Sequence, residues 1–188
     1  IATKNLYDDG LLREEYYKKV MDNADLIESV IDYDKDYTFD YFALTTLIRA
    51  YLLKFDNKTI ERPQDLWMRV TLTVTGNEFN LDKIKETYRS LSTGMYTHAT
   101  PTLFNSGLKM QQLSSCFLIG MEDDSIEGIF NTIKDCALIS KTAGGIGMHA
   151  HNIRGSGSRI KSTNGKSNGL IPFLKIFNET AKSVDQGG

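Results

Sequence analysis

The stretch from Ser114 to Ala150 constrains the fold more than any other part of the chain. Ser114-Ser115-Cys116-Phe117-Leu118-Ile119 is a short run bounded by polar residues and Gly120, as a buried strand would be. Asp124-Ser125-Ile126-Glu127 then offers an N-cap with a Glu three residues on, ahead of apolar Ile129, Ile133, Ala137 and Leu138. Gly144-Gly145-Ile146-Gly147-Met148-His149-Ala150 is a second short run. Strand, capped helix and strand make a β-α-β reading, so residues 112–188 are expected to open an α/β sheet or barrel. A last helix is expected from Asn168 through Leu170, Phe173, Leu174, Phe177 and Ala181.

Upstream, residues 1–111 read as mainly helical. Leu11 to Val30 is charged, with Leu12, Tyr16, Val20, Ala24 and Ile27 on one face, which predicts one surface helix or two short ones. Ile31 to Phe39 has no consistent period and is expected to be an extended connection. Asp40 starts a clear helix, with Phe42, Leu44, Leu47, Ile48, Tyr51 and Leu52 as its apolar stripe. Asp56-Asn57-Lys58 has turn chemistry between short β-compatible flanks. Pro63 lies early in an element that could be helix or strand, continued by Leu66, Met68, Val70, Leu72 and Val74. Asn80 can cap a helix whose apolar positions are Leu81, Ile84, Tyr88 and Leu91. Met95 to Phe104 is rich in β-branched and aromatic residues, and Pro101 argues against a helix there.

Composition removes several classes of function. With 22 Lys+Arg against 24 Asp+Glu, the chain has no electrostatic footprint for nucleic acid. No uninterrupted apolar run approaches the roughly 18 residues of a membrane helix, and no signal-peptide pattern opens the chain, so the expected compartment is cytoplasmic. Of the 15 glycines, nine lie between Gly144 and Gly188, which directs the search for functional loops to the last third. The chain begins on Ile1 and stops on the loop-like Asp185-Gln186-Gly187-Gly188, as a piece of a longer protein would.

Five features could carry chemistry. Asp124, Ser125 and Ile126 sit where a strand meets a helix N-terminus, which suits a phosphate or a ribose hydroxyl, or is a plain helix cap. Lys141-Thr142-Ala143-Gly144-Gly145-Ile146-Gly147 is Gly-rich but fits no phosphate-loop pattern; its glycines read as a helix C-cap and a close helix-to-strand contact, with Lys141 a partner for the helix dipole. Arg154 to Ser167 interleaves four cationic side chains with Gly, Ser and Thr, either an oligophosphate-binding loop or a solvated one. Cys116 and Cys136 have no metal-ligand spacing and read as packing, and no zinc site is expected. The three histidines have no recognisable triad partners.

Taken in order, His98-Ala-Thr-Pro-Thr-Leu-Phe-Asn-Ser-Gly107, Leu113-Ser-Ser-Cys-Phe-Leu118, Asp123-Asp-Ser-Ile-Glu-Gly128, Cys136-Ala-Leu-Ile-Ser-Lys-Thr-Ala-Gly-Gly-Ile-Gly147, Ile153-Arg154, Thr163-Asn-Gly165, Ser167-Asn-Gly-Leu170 and Asp185-Gln-Gly-Gly188 resemble the large catalytic subunit of class I ribonucleoside-diphosphate reductases. The resemblance runs over about residues 31 to 188. It implies a helical N-terminal domain followed by the first part of a ten-stranded α/β barrel. It also implies an enzyme that reduces ribonucleoside diphosphates to deoxyribonucleotides by thiyl-radical chemistry, for DNA precursor synthesis.

By that resemblance Cys116 is one member of the redox cysteine pair, which reverses the packing reading. Thr100 and Ser115 bind the substrate, Thr100 at its diphosphate end, where some members carry Ser. Asp124, Ser125, Ile126, Lys141, Arg154, Lys161, Ser162 and Gln186 align with the site for a specificity effector, a deoxynucleoside triphosphate or ATP with Mg²⁺. Implied partners are a second large subunit as a homodimer, a small radical-generating subunit, and thioredoxin or glutaredoxin. The family's radical cysteine, its acid/base Asn and Glu, and the partner of Cys116 have no counterpart up to Gly188, so these residues alone are expected to be inactive. The competing expectation is a non-catalytic nucleotide-binding or interaction module built on the same half-barrel.

Overall fold

A computed structural model describes residues 2–184. The chain separates into two compact units that divide between Leu113 and Ser114.

The first unit is helical. It holds α1 (Ala2–Asp8), α2 (Glu14–Asp22), α3 (Ala24–Glu28), a 3₁₀ segment (Tyr33–Thr38), α4 (Tyr41–Thr46) running into a π-helical turn (Leu47–Tyr51), a hairpin of β1 (Lys54–Phe55) and β2 (Lys58–Thr59), α5 (Pro63–Val74), α6 (Leu81–Ser92) and α7 (Thr100–Asn105). Leu11 to Val30 thus forms two short helices, broken at Asn23. Asp56 and Asn57, at φ 49° and 60°, make the two-residue turn in which Lys54 faces Thr59 and Phe55 faces Lys58.

The element that could have been helix or strand is α5, and it is central. Leu66, Met68, Val70 and Leu72 are buried together with Gln64, Arg69 and Thr71, so the helix is enclosed on several faces and its sequence loses the one-sided period of a surface helix. Ile84, Tyr88 and Leu91 of α6, Leu103 of α7, and Ile27, Leu47 and Leu52 complete the core. As expected, Asn80 caps α6 by accepting from the Lys83 amide at 3.0 Å. Asp40 caps α4 in the same way, at 2.7 Å from the Ala43 amide, but Phe42 of the expected stripe is 78% exposed.

Two local expectations fail, each for a physical reason. Residues 33–38 are 3₁₀-helical rather than extended. Acids of this stretch reach the N-terminus of α5: Asp36 Oδ1 accepts from the Gln64 amide at 3.2 Å and its Oδ2 from Arg62 Nε at 2.8 Å, while the Tyr33 hydroxyl donates to Asp65 at 2.8 Å. None of these partners is a sequence neighbour, so no local period records them. Residues 100–105 are helical despite Pro101. The proline sits in the first turn, where its missing N–H would have had no intrahelical acceptor.

In the second unit β3 (Cys116–Gly120) pairs parallel with β4 (Gly145–His149) across α8 (Ile126–Ser140), confirming the β-α-β order. Cys116 lies opposite Gly145 and Gly120 opposite His149. The strands are not buried on both faces. Phe117, Ile119, Ile146 and Met148 are half-buried, whereas Cys116, Leu118, Gly145 and Gly147 are exposed, Leu118 at 94%. Ile129 and Ile133 of α8 pack with Met121, Met148 and the rings of Phe173 and Phe177 from α9 (Ile171–Ser183).

The loop after α8 divides its tasks differently from expectation. The left-handed residue is Ala143, at φ 63°, not a glycine. Gly144 supplies the close approach: a Cβ there would lie 2.7 Å from Ile139 Cγ2 and 2.9 Å from the Phe117 ring. Residues 154–167 are also not one open loop, because β5 (Arg159–Ile160) and β6 (Gly165–Lys166) pair as a hairpin within them. No helix among the described residues is long and apolar enough to cross a membrane.

Candidate functional site

The candidate effector residues begin where β3 hands over to α8. Ser125, not Asp124, is the helix cap: its Oγ accepts from the Gly128 amide at 3.0 Å. The Asp124 carboxylate is therefore free for another task. Gly128 makes the geometry possible, since a Cβ there would stand 2.7 Å from the Asp123 backbone nitrogen and 2.9 Å from its carbonyl oxygen. Two further bonds hold the 121–124 turn in place. The Glu122 amide donates to Thr132 Oγ1 at 3.2 Å, and Asn152 Nδ2 donates to the Met121 carbonyl at 3.1 Å.

Arg154 is brought to this turn from the end of the segment that follows β4. Its Nε donates to Asp124 Oδ2 at 2.5 Å and its Nη2 to the Asp124 carbonyl at 3.0 Å. The pair is partly exposed, with about a third of the Arg154 side chain and a quarter of Asp124 open to solvent. Ile126 is exposed beside it. A carboxylate and a guanidinium thus meet on one half-open surface, which is chemistry for a sugar hydroxyl and a phosphate.

The other cations are placed separately. Lys161 and Ser162 lie in the exposed tip between β5 and β6. Lys141 caps the far end of α8, a helix of 15 residues, so it stands about 22 Å along the axis from Asp124. Gln186 lies outside the described residues.

Cys116 occupies the opposite end of β3, about 13 Å of strand before Gly120. Its thiol is exposed, and the residue facing it on β4 is Gly145, which offers no side chain to cover it. The Ser115 hydroxyl lies 3.6 Å from Cys116 Sγ. Cys136 is buried in α8, as a packing cysteine should be; burial, then the neighbouring Asp135, pushes its thiol up from the usual range.

Thr100 belongs to the first unit, where it begins α7. Its Oγ1 lies 3.2 Å from the Tyr51 hydroxyl. Sequence reasoning missed Tyr51, and also Asn152. No pattern connects Tyr51 to a residue 49 positions away, or Asn152 to one 31 away.

A cavity of about 370 Å³ contains none of these residues. It lies in the first unit, with Leu6, Leu12, Ile27, Met68 and Leu72 among its walls. Both of its central carboxylates are engaged, Glu61 with Arg69, and Asp65 with Tyr33 and the Arg62 amide. We read it as a packing gap. Among the described residues no group of three or more His, Cys, Asp or Glu is placed to hold a metal ion.

Comparison with known proteins covers both units. Residues 37–111 match the family described as "Ribonucleotide reductase, all-alpha domain", and residues 114–188 match "Ribonucleotide reductase, barrel domain". The chain is 52% identical over 178 residues to the ribonucleoside-diphosphate reductase large chain 2 of Saccharomyces cerevisiae, covering 95% of this chain and 20% of that protein. It is 54% identical to the large subunit from Plasmodium falciparum and 51% to that from Arabidopsis thaliana, each over 95% of this chain and 22% of the relative. The chain therefore spans about a fifth of the length of the curated relatives it matches. Two domain matches in the same order, on a helical unit followed by a parallel β-α-β unit, with half of all residues identical, lead to one conclusion: the chain belongs to the ribonucleotide reductase large-subunit family.

Proposed function

We propose that this chain is part of a ribonucleoside-diphosphate reductase catalytic subunit, carrying one redox cysteine, part of the substrate site and most of a specificity-effector site. The observation that carries this reading is the exposed Cys116 at the start of β3, facing Gly145. Replacing a ribose hydroxyl by hydrogen consumes two electrons and two protons and releases water. Oxidation of two thiols to a disulfide delivers both, and Cys116 would be one of the two. A second cysteine elsewhere in the full protein would be its partner, and thioredoxin or glutaredoxin would restore the thiols. The small subunit would supply the radical.

Thr100 would donate to the substrate diphosphate and Ser115 would hold the substrate beside the sugar. At the other end of β3, Asp124 would take the effector ribose while Ser125, Ile126 and Arg154 line the site. Lys161 and Ser162 would close over the phosphates from the β5–β6 tip, and Gln186 would begin the segment that relays effector identity. Lys141 is too far along α8 to join Asp124 in the same chain, which supports a site completed by a second copy in a homodimer. The one carboxylate in this cluster is held by Arg154, so these residues do not make a cation site of their own; Mg²⁺ would be held by the effector phosphates and water. A cytoplasmic location fits this role.

The test is Cys116→Ser in the full-length subunit assembled with its small subunit. Loss of dithiol-dependent turnover with effector binding retained is expected, because the two sites lie at opposite ends of β3. Normal turnover would overturn the assignment.

A further inference from the structure

Tyr51 ends the π-helical turn Leu47–Tyr51, in which the Leu52 amide reaches back five residues to the Leu47 carbonyl at 3.0 Å. Such turns insert one extra residue into a helix and redirect the side chains that follow. Here the turn places the Tyr51 ring on α7. The ring stacks on Phe104, with centroids 4.9 Å apart and planes 14° from parallel, and its hydroxyl lies 3.2 Å from Thr100 Oγ1. Thr100 and Phe104 are four residues apart and so share one face of α7. Tyr51 grips both.

The opposite end of α7 is held independently. Arg69 Nη1 donates to the Leu103 carbonyl at 3.2 Å and to the Ser106 carbonyl at 2.8 Å. The Arg69 side chain is 2% exposed, and its remaining donors pair with Glu61 at 2.6 and 3.0 Å. With the helix fixed from a buried base, its half-buried first hydroxyl has the Tyr51 phenol as its polar neighbour among the described residues.

We propose that Tyr51 is a positioning residue for the diphosphate end of the substrate, acting through Thr100. This rests on the reading of Thr100 given above. A phosphate oxygen only accepts hydrogen bonds, so Thr100 must donate to it. The Thr100 oxygen is then left to accept, and the phenol, the more acidic hydroxyl, donates to it. The resulting chain from Tyr51 to Thr100 to phosphate polarises the threonine O–H and holds its rotamer toward the ligand.

The experiment is steady-state kinetics and thermal denaturation of the full-length large subunit with its small subunit, comparing Tyr51→Phe, Thr100→Val, Thr100→Ser and the Tyr51→Phe/Thr100→Val double variant. Tyr51→Phe keeps the ring on Phe104 and loses only the donor. It is expected to raise KM for the ribonucleoside diphosphate about 3- to 10-fold, the size of one net hydrogen bond, with kcat and Tm nearly unchanged. Thr100→Val is expected to raise KM at least as much, with no further rise on adding Tyr51→Phe, while Thr100→Ser stays near wild type. An unchanged KM for Tyr51→Phe, a rise that persists in the Thr100→Val background, or a parallel fall of kcat and Tm would each overturn the role of Tyr51 and leave Thr100 in place. An unchanged KM for Thr100→Val would remove the substrate reading of Thr100 and the inference with it.

Discussion

Arg154 and Asp124, 30 residues apart in the chain, meet through a two-point contact in which the guanidinium donates to both the carboxylate and the backbone carbonyl of the same residue. The aspartate is available for this because Ser125 has taken over the capping of α8. The contact fixes where each group points, so an effector bound as proposed would leave less ordering to be done.

Arg154→Ala in the full-length subunit is expected to weaken deoxynucleoside triphosphate binding by about 1–3 kcal/mol, the size of a lost charge-assisted contact. Arg154→Lys should recover only part, because an ammonium cannot span the carboxylate and the carbonyl as a planar fork does. Isothermal titration calorimetry measures both, and unchanged affinity for the alanine variant would remove Arg154 from the effector site.

Gly128→Ala is expected to destabilise the protein by about 1–3 kcal/mol although alanine is the better helix former. The added methyl would meet backbone atoms of Asp123 at 2.7 and 2.9 Å, which cannot rotate away. The loss should appear as a lower Tm, together with weaker effector binding as the 121–124 turn moves.

Glu61→Gln leaves Arg69 buried with its charge uncompensated, and a cost of about 3–5 kcal/mol is expected in chemical denaturation. Replacing both residues by apolar ones of similar volume should recover much of the loss, because the desolvation of two charges disappears with them. If the single and double variants are equally destabilised, the backbone bonds from Arg69 to Leu103 and Ser106 matter more than the ion pair.

Alkylation followed by peptide mapping should separate the two cysteines. Cys116 is exposed and is expected to label first. Burial raises the Cys136 thiol, so at any given pH a smaller fraction is thiolate, and its labelling profile shifts to higher pH than that of an unburied thiol. Equal rates across pH 7 to 9 would contradict the burial of Cys136.

Residues with local partners were legible in advance. The Asp56-Asn57 turn and the Asn80 and Asp40 caps rest on interactions within a few residues, and the strand-helix-strand order shows as two short apolar runs either side of a capped helix, so their patterns appear in the sequence. The 3₁₀ segment leaves no local pattern because Asp36 acts on the distant Gln64, and for α7 the ambiguity is whether Pro101 starts a helix or prevents one, which the distant bonds from Arg69 to Leu103 and Ser106 do not mark in the sequence. At the candidate site, ordered motifs identified Asp124, Arg154 and Cys116 as residues of interest, but no spacing indicated which were in contact.

The sequence alone determined the order of the elements, the helical and α/β character of the two halves and the residue types available for chemistry. These follow from periodicity, capping and the order of motifs. Only the tertiary structure decided that Ser125 caps α8 and frees Asp124 for Arg154, and that Tyr51 reaches Thr100. A side-chain hydrogen bond needs atoms within about 3 Å, and chain folding sets such distances between residues that no local pattern relates.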